Sequence, residues 1–215
     1  MISNKKLFLI FIPAILIVGL AFFIQIIKYQ PLFPKVNPED SIAKEFVIPL
    51  YPQDPIIGNA KAPLTIVAFE DFSCESCSGQ SAMLENLLQK YPNKFKVLWK
   101  SLPVSEFPYP SINAVKYGYC ANEQKKFLDF KASAFVNSSS LSETILQSIA
   151  EETNLDDKKL SKCLNSTEVA DYIDNNKQIA KILNIQAVPA FFINNKQIEN
   201  PKAEYQWEEI LELTQ

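Results

Sequence analysis

The chain contains no histidine, and no arginine either: all 21 of its basic residues are lysine. Without histidine, Ser-His-Asp and Cys-His catalysis are excluded within this chain, and so are histidine-ligated zinc, haem and copper. Without arginine, bidentate recognition of phosphate or guanine is absent. A net charge of −3 leaves no basic surplus for nucleic acid. Glycine is scarce, at 4 of 215 residues, and neither GxGxxG nor GxxxxGK[ST] occurs, so glycine-rich nucleotide loops are excluded. What is present is ordinary for a globular protein: 47% hydrophobic and 21% charged residues. A chain of this length buries a core without staples. The residues left to carry chemistry are four cysteines: Cys74, Cys77, Cys120 and Cys163.

The N-terminus is the one long apolar run. Leu7 to Ile27 is 21 residues broken only by Gln25, with Lys5 and Lys6 before it and Lys28 after. That length spans a bilayer as a helix. A cleaved signal peptide, with Gly19-Leu20-Ala21 as its small-residue site, is the alternative; its apolar region is usually shorter. A buried core helix fits poorly, because the run is terminal and flanked by lysine. The expectation is a retained anchor at 7–27, with residues 1–6 in the cytoplasm as the lysine pair favours. Every one of the 24 acids lies after Pro38. Omitting Lys5, Lys6 and Lys28 leaves 18 lysines against those 24 acids, a charge of −6 for the part expected outside the cytoplasm. There, disulfides can form.

Residues 28–53 read as a linker and lead-in, with Pro31, Pro34 and Pro38 early and a short helical piece around Asp40 to Phe46. A strand is expected at Phe46 to Leu50, and Pro52 to Asn59 reads as turns. Leu64 to Glu70 is a short β-branched run, as in a buried parallel strand. Ser73 to Lys90 is helical, ended by Tyr91-Pro92-Asn93. Lys94 to Lys100 alternates with Phe95, Val97 and Trp99 on one face. The three make a strand–helix–strand unit. A mostly helical stretch follows from Ser111 to Leu164, within which Ser140 and Glu143 form a capping box. Another helix opens at Asn165 or Ser166. Then come a strand at Ala190 to Ile193, the turn Asn194-Asn195, a strand at Lys196 to Glu199 and a helix from Lys202 to Leu213. With the middle set aside, the order is β-α-β then α-β-β-α.

Cys74-Glu75-Ser76-Cys77 lies where the first strand of that unit meets its helix. A thiol at a helix N-terminus meets unpaired backbone N–H groups and the positive end of the helix dipole. Both favour the thiolate, which is the attacking species. A second thiol three residues on, one turn deeper, closes a disulfide and releases a trapped mixed disulfide. CxxC beside a βαβ pattern therefore reads as a redox pair. Half of a zinc site looks the same, but Cys120 and Cys163 are 43 residues apart and make no second knuckle. No metal and no cofactor is expected. Val188-Pro189 stands just before a strand, where proline is ordinarily punctuation; the functional alternative is a cis-proline loop facing the CxxC.

The stretch from Asp54 to Cys77, DPIIGNAKAPLTIVAFEDFSCESC, resembles the opening of the DsbA-like thiol–disulfide oxidoreductases of the thioredoxin superfamily. Val188 to Asn195, VPAFFINN, resembles that family's proline loop and hairpin. Gly118 to Gln124, GYCANEQ, resembles the start of the long helix in its inserted helical domain. The three motifs stand in matching order and cover residues 54–215. The resemblance implies an α/β thioredoxin fold with a helical insert at about 105–164, preceded here by one transmembrane helix. It implies Cys74 as nucleophile, Cys77 as resolving thiol, Pro189 in cis and Val188 meeting the substrate. It implies exported proteins with cysteine thiols as substrates, a membrane quinone-linked protein as reoxidant, and a bacterial membrane-anchored enzyme whose catalytic domain lies on the extracytoplasmic side.

Some residues depart from that pattern. The best-known members have histidine before the second cysteine, where this chain has Ser76, and Glu75 adds negative charge beside the nucleophile. Many members carry a buried acid six residues before the nucleophile; here that residue is Ala68. Glu70 can stand in for it, but a strand-end carboxylate in solvent is the expected reading. Cys120 and Cys163 are either a second redox pair or a static disulfide pinning two helices. The static one is expected, since exported domains often use one and neither cysteine begins a helix beside a strand. Three functions remain: a dithiol oxidase, a reductase or isomerase of the same fold, and a binding module that has lost redox chemistry. Val188, where isomerases of the family often have threonine, leans toward the oxidase.

Overall fold

The computed structural model describes residues 4–29 and 46–214. The chain divides into two units, Met1–Phe46 and Val47–Gln215. In the first, helix α1 runs Asn4–Tyr29 with Pro13 inside it. Its described side chains are Pro13, residues 15–26 and Lys28, all exposed. Among the described residues no helix is long and apolar enough to cross a membrane. Most of the proline linker and the helical piece before Phe46 lie outside the described residues.

The second unit is a five-stranded mixed sheet with helices. Its elements are β1 (Ile56–Gly58), β2 (Leu64–Glu70), α2 (Glu75–Lys90), β3 (Phe95–Ser101), α3 (Ser111–Glu123), α4 (Phe127–Val136), α5 (Glu143–Glu152), α6 (Asp157–Leu164), α7 (Thr167–Ile182), β4 (Ala190–Ile193), β5 (Lys196–Ile198) and α8 (Glu204–Ile210). The strand order is β1-β3-β2-β4-β5. β2 and β3 run parallel, joined through α2, and β4 pairs antiparallel to β2. This is the thioredoxin arrangement, with α3 to α6 as the helical insert.

Local chemistry sets most boundaries. β2 is buried on both faces in its latter half, which is why it reads as a continuous apolar run rather than an alternating one. Asn194 and Asn195 both have positive φ, the backbone a two-residue hairpin turn requires, and asparagine tolerates it. Three expectations need correction. Residues 46–50 form no strand; Ile48 N–H instead donates to Asn195 Oδ1 at 3.0 Å. The turn-rich lead-in holds a short strand, β1, antiparallel to β3. The cap of α5 is Ser142, whose Oγ accepts from Ile145 N–H, and not Ser140.

One aromatic cluster ties sheet, insert and CxxC turn together. The Phe72 ring stacks on Trp99 of β3 at 5.2 Å and meets Phe130 of α4 edge-on at 5.6 Å. Gly118 of α3 makes room for it: a Cβ there would lie 2.8 Å from the Phe72 ring. Phe72 stands two residues before Cys74, so the insert packs directly against the turn that presents the sulfur.

Candidate active site

Cys74 is the N-cap of α2, with extended backbone (φ −101°, ψ 111°) that lets its side chain turn back over the first helical turn. Its Sγ accepts from Cys77 N–H at 3.1 Å. Cys77 lies one turn in and is buried, at 0% exposure, while Cys74 is half-buried. The two are disulfide-bonded with Cα atoms 5.2 Å apart. The Ser76 hydroxyl lies 3.1 Å from Cys74 Sγ, and Glu75 points into solvent. Across from them the Val188 carbonyl oxygen is 3.7 Å from Cys74 Sγ, and the Val188–Pro189 bond is cis. The structure thus gathers Cys74, Glu75, Ser76, Cys77, Val188 and Pro189 at one corner.

Cys120 and Cys163 are bonded to each other elsewhere, joining α3 to α6, with Cys120 at 0% exposure. A surface cavity of about 390 Å³ opens beside them, lined by Tyr119, Glu123, Lys159 and Lys162 among others.

Sequence reasoning missed Asp71. Its carboxylate is buried and accepts from Ser73 N–H at 2.9 Å, Val104 N–H at 2.8 Å, Ser105 N–H at 3.1 Å and Ser111 Oγ at 2.7 Å. Its carbonyl accepts Cys74 N–H at 3.1 Å. One residue therefore fixes the turn before the sulfur and, from the same carboxylate, the β3–α3 loop and the start of α3. The loop it holds exposes Val104 and Phe107. An acid directly after a buried strand and before CxxC was the available signal.

Glu70 corrects an expectation. It is not a strand-end carboxylate in solvent: it is 2% exposed, and its Oε1 has no hydrogen-bond partner. Burial raises its pKa to about 8, against the opposing pull of Lys131 and with a further push from Glu85. Lys131 comes from α4 of the insert, forms an ion pair with Glu85 of α2 and lies over the Trp99 ring. The carboxyl is consequently neutral at pH 7 and belongs to the seam between sheet and insert.

Chemically, this corner can exchange disulfides. A half-exposed sulfur meets N–H and hydroxyl donors at a helix N-terminus, a buried partner sulfur can leave and return, and a backbone carbonyl flanks the approach. Comparison with known proteins points the same way. The profile of a family described as thioredoxin matches residues 51–213. A thioredoxin-like oxidoreductase from Silicibacter pomeroyi superposes with a TM-score of 0.69 at 23% identity, over 76% of this chain and 92% of that one. The thiol-disulfide exchange protein alpha-DsbA2 from Wolbachia pipientis gives 0.67 at 17%, over 75% and 87%. Proteus mirabilis ScsC in a transitional conformation gives 0.65 at 25%, over 75% and 72%. Among curated proteins, the Na(+)/H(+) antiporter NhaA 1 of Salinispora arenicola is 26% identical over 114 residues, 52% of this chain. The matched stretch is 17% of the antiporter's length.

Proposed function

This chain belongs to the thioredoxin family and is a thiol–disulfide oxidoreductase, and we propose on that premise that it works as a dithiol oxidase on exported proteins. The observation that carries the proposal is the setting of Cys74 Sγ, an N-cap sulfur with Cys77 N–H and the Ser76 hydroxyl at 3.1 Å. Those donors stabilise a Cys74 thiolate, which stabilises the reduced enzyme and makes its disulfide the stronger oxidant.

In the step proposed, a substrate thiolate attacks Cys74 Sγ. The Cys74–Cys77 bond breaks and Cys77 leaves as thiolate. A second substrate thiolate then attacks the substrate sulfur of the mixed disulfide and releases Cys74. The substrate gains a disulfide, and two electrons remain on the Cys74–Cys77 dithiol. A lower pKa makes Cys74 the better leaving group in that second attack. Reoxidation falls to a quinone-linked membrane protein. The apolar run at 7–27 supports a membrane anchor that leaves the catalytic unit on the extracytoplasmic side.

The test is the equilibrium potential of the Cys74–Cys77 pair together with oxidation of a reduced two-cysteine peptide. With Ser76 in place of histidine and Glu75 alongside, the expected potential lies between about −120 mV, as in DsbA, and about −270 mV, as in thioredoxin. A value at or below the thioredoxin end assigns the chain to reduction instead. Membrane attachment is tested separately, by fractionating cells that express the full chain: recovery in the soluble fraction overturns the anchor.

A further inference from the structure

The Val188–Pro189 loop has no support from the sheet at the point where it faces the sulfur. The β2–β4 ladder ends at the pair Ala190 with Phe69, so Pro189 lies one residue beyond it, and proline offers no N–H. Its carbonyl is held from behind by a side chain: Asn200 Nδ2 donates to Pro189 O at 2.7 Å. The next residue ties this contact to the helix that carries both cysteines. Pro201 O accepts from Gln80 Nε2, and Gln80 is six residues after Cys74 on α2. The orientation of the Gln80 amide is fixed in turn, because its Oε1 accepts from Trp207 Nε1 at 2.9 Å and an indole nitrogen can only donate. Trp207 is fully buried and meets Phe191 edge-on at 5.0 Å, so the anchor end is packed into the core.

These contacts close a ring. It runs from Cys74 along α2 to Gln80, across to Pro201 and Asn200, through Pro189 to Val188, and back across 3.7 Å to Cys74 Sγ. The ring leaves the width of the cleft between sulfur and loop little freedom. We propose that Asn200 is a positioning residue that sets the approach of the Val188–Pro189 loop to Cys74, and so governs capture of an extended cysteine-containing peptide rather than the reactivity of the sulfur. The proposal rests on the functional reading above, in which that cleft receives a protein substrate. Asn200 touches neither substrate nor sulfur; it acts through the loop, and small displacements of a docking element are costly in rate.

The test uses the full-length chain with two reductants. One is a reduced two-cysteine peptide, which needs the loop. The other is dithiothreitol, which needs only the sulfur. Asn200→Asp turns an oxygen toward the Pro189 carbonyl; it is expected to lower kcat/KM for the peptide about tenfold, as one lost hydrogen bond implies. The dithiothreitol rate should stay within about twofold, and the Cys74–Cys77 potential should not move. Asn200→Ser, which removes the amide without adding charge, should slow the peptide by about threefold and carries the test if the aspartate variant does not fold. Peptide rates equal to wild type in a folded variant overturn the proposal. So do equal losses with both reductants, which would place the effect on the sulfur or on the fold. A wild-type chain inert toward the peptide overturns the functional reading itself, and is thereby distinguishable from failure of the positioning role alone.

Discussion

Each disulfide pairs one half-exposed sulfur with one buried sulfur: Cys74 with Cys77, and Cys163 with Cys120. Exposure therefore does not separate them. The ends of the helices do. Cys74 caps the N-terminus of α2, where the helix field favours a thiolate. Cys120 and Cys163 lie in the last turns of α3 and α6, where that field opposes one. On that ground we expect exchange at Cys74 and a static bond between Cys120 and Cys163.

The largest effect should come from deleting the nucleophile. Cys74→Ala is expected to abolish exchange, by about a thousandfold or more, whereas Cys77→Ala should accumulate mixed disulfides for want of a resolving thiol. Non-reducing gels of each variant with substrate check this; equal trapping by Cys74→Ala reverses the assignment of roles. Next, the Cys120→Ser, Cys163→Ser double variant should keep turnover but lose stability. Opening a link across 43 residues costs about 4 kcal/mol in the chain-entropy model, a fall in Tm of roughly 10 °C. Lost turnover with unchanged melting would make the second pair a redox partner.

A third test probes the seam between sheet and insert. The Glu70 pKa is raised from 4.5 to about 8, so the folded chain keeps a proton that the unfolded chain gives up. Stability then falls as pH rises from 4.5 to 8, and the full cost stands above that window. Glu70→Gln should be close to neutral in acid and stabilise by several kcal/mol near pH 9. Denaturant melts at both pH values measure it, and a gain confined to acid would contradict the burial argument. The smallest effects sit on the sulfur. Ser76→Ala removes a donor and should lower the potential by about 10–20 mV; Glu75→Gln should raise it by a similar amount, less so in high salt. A Glu75→Gln variant with an unchanged or higher Cys74 pKa would discredit this electrostatic account.

Much of the active corner was legible because it is made by near neighbours. β2, the CxxC at the helix start and the Asn194-Asn195 turn each follow from a few consecutive residues. Other features were not, and each is long-range or finely balanced. Glu70 is buried among residues of other elements, Leu84 and Glu85 of α2 with Ile57 and Val97 of β1 and β3, so its own strand gives no sign of that. β1 is only three residues set among turn formers, and its pairing with β3 shows only in the folded chain. Ser140 and Ser142 both suit a cap, and only the packed helix distinguishes them. Asp71 and Asn200 act through partners 33 and 11 residues away, so their roles need the folded chain.

The sheet register has a consequence in time. β2 at Ile66 pairs with β4 at Ile193, so the central strand waits for a partner 127 residues downstream. A chain made from its N-terminus presents Cys74 and Cys77 first, then Cys120, then Cys163, and only afterwards Val188 and Asn200. For most of its synthesis it carries a thiol pair without the cleft that selects a substrate. Over the interval between Cys120 and Cys163, the only thiols within reach of Cys120 are those two. A chain that must sort four sulfurs into two bonds therefore meets a mispairing partner before its correct one exists, and the cleft is completed only when the segment from Val188 to Trp207 has been made.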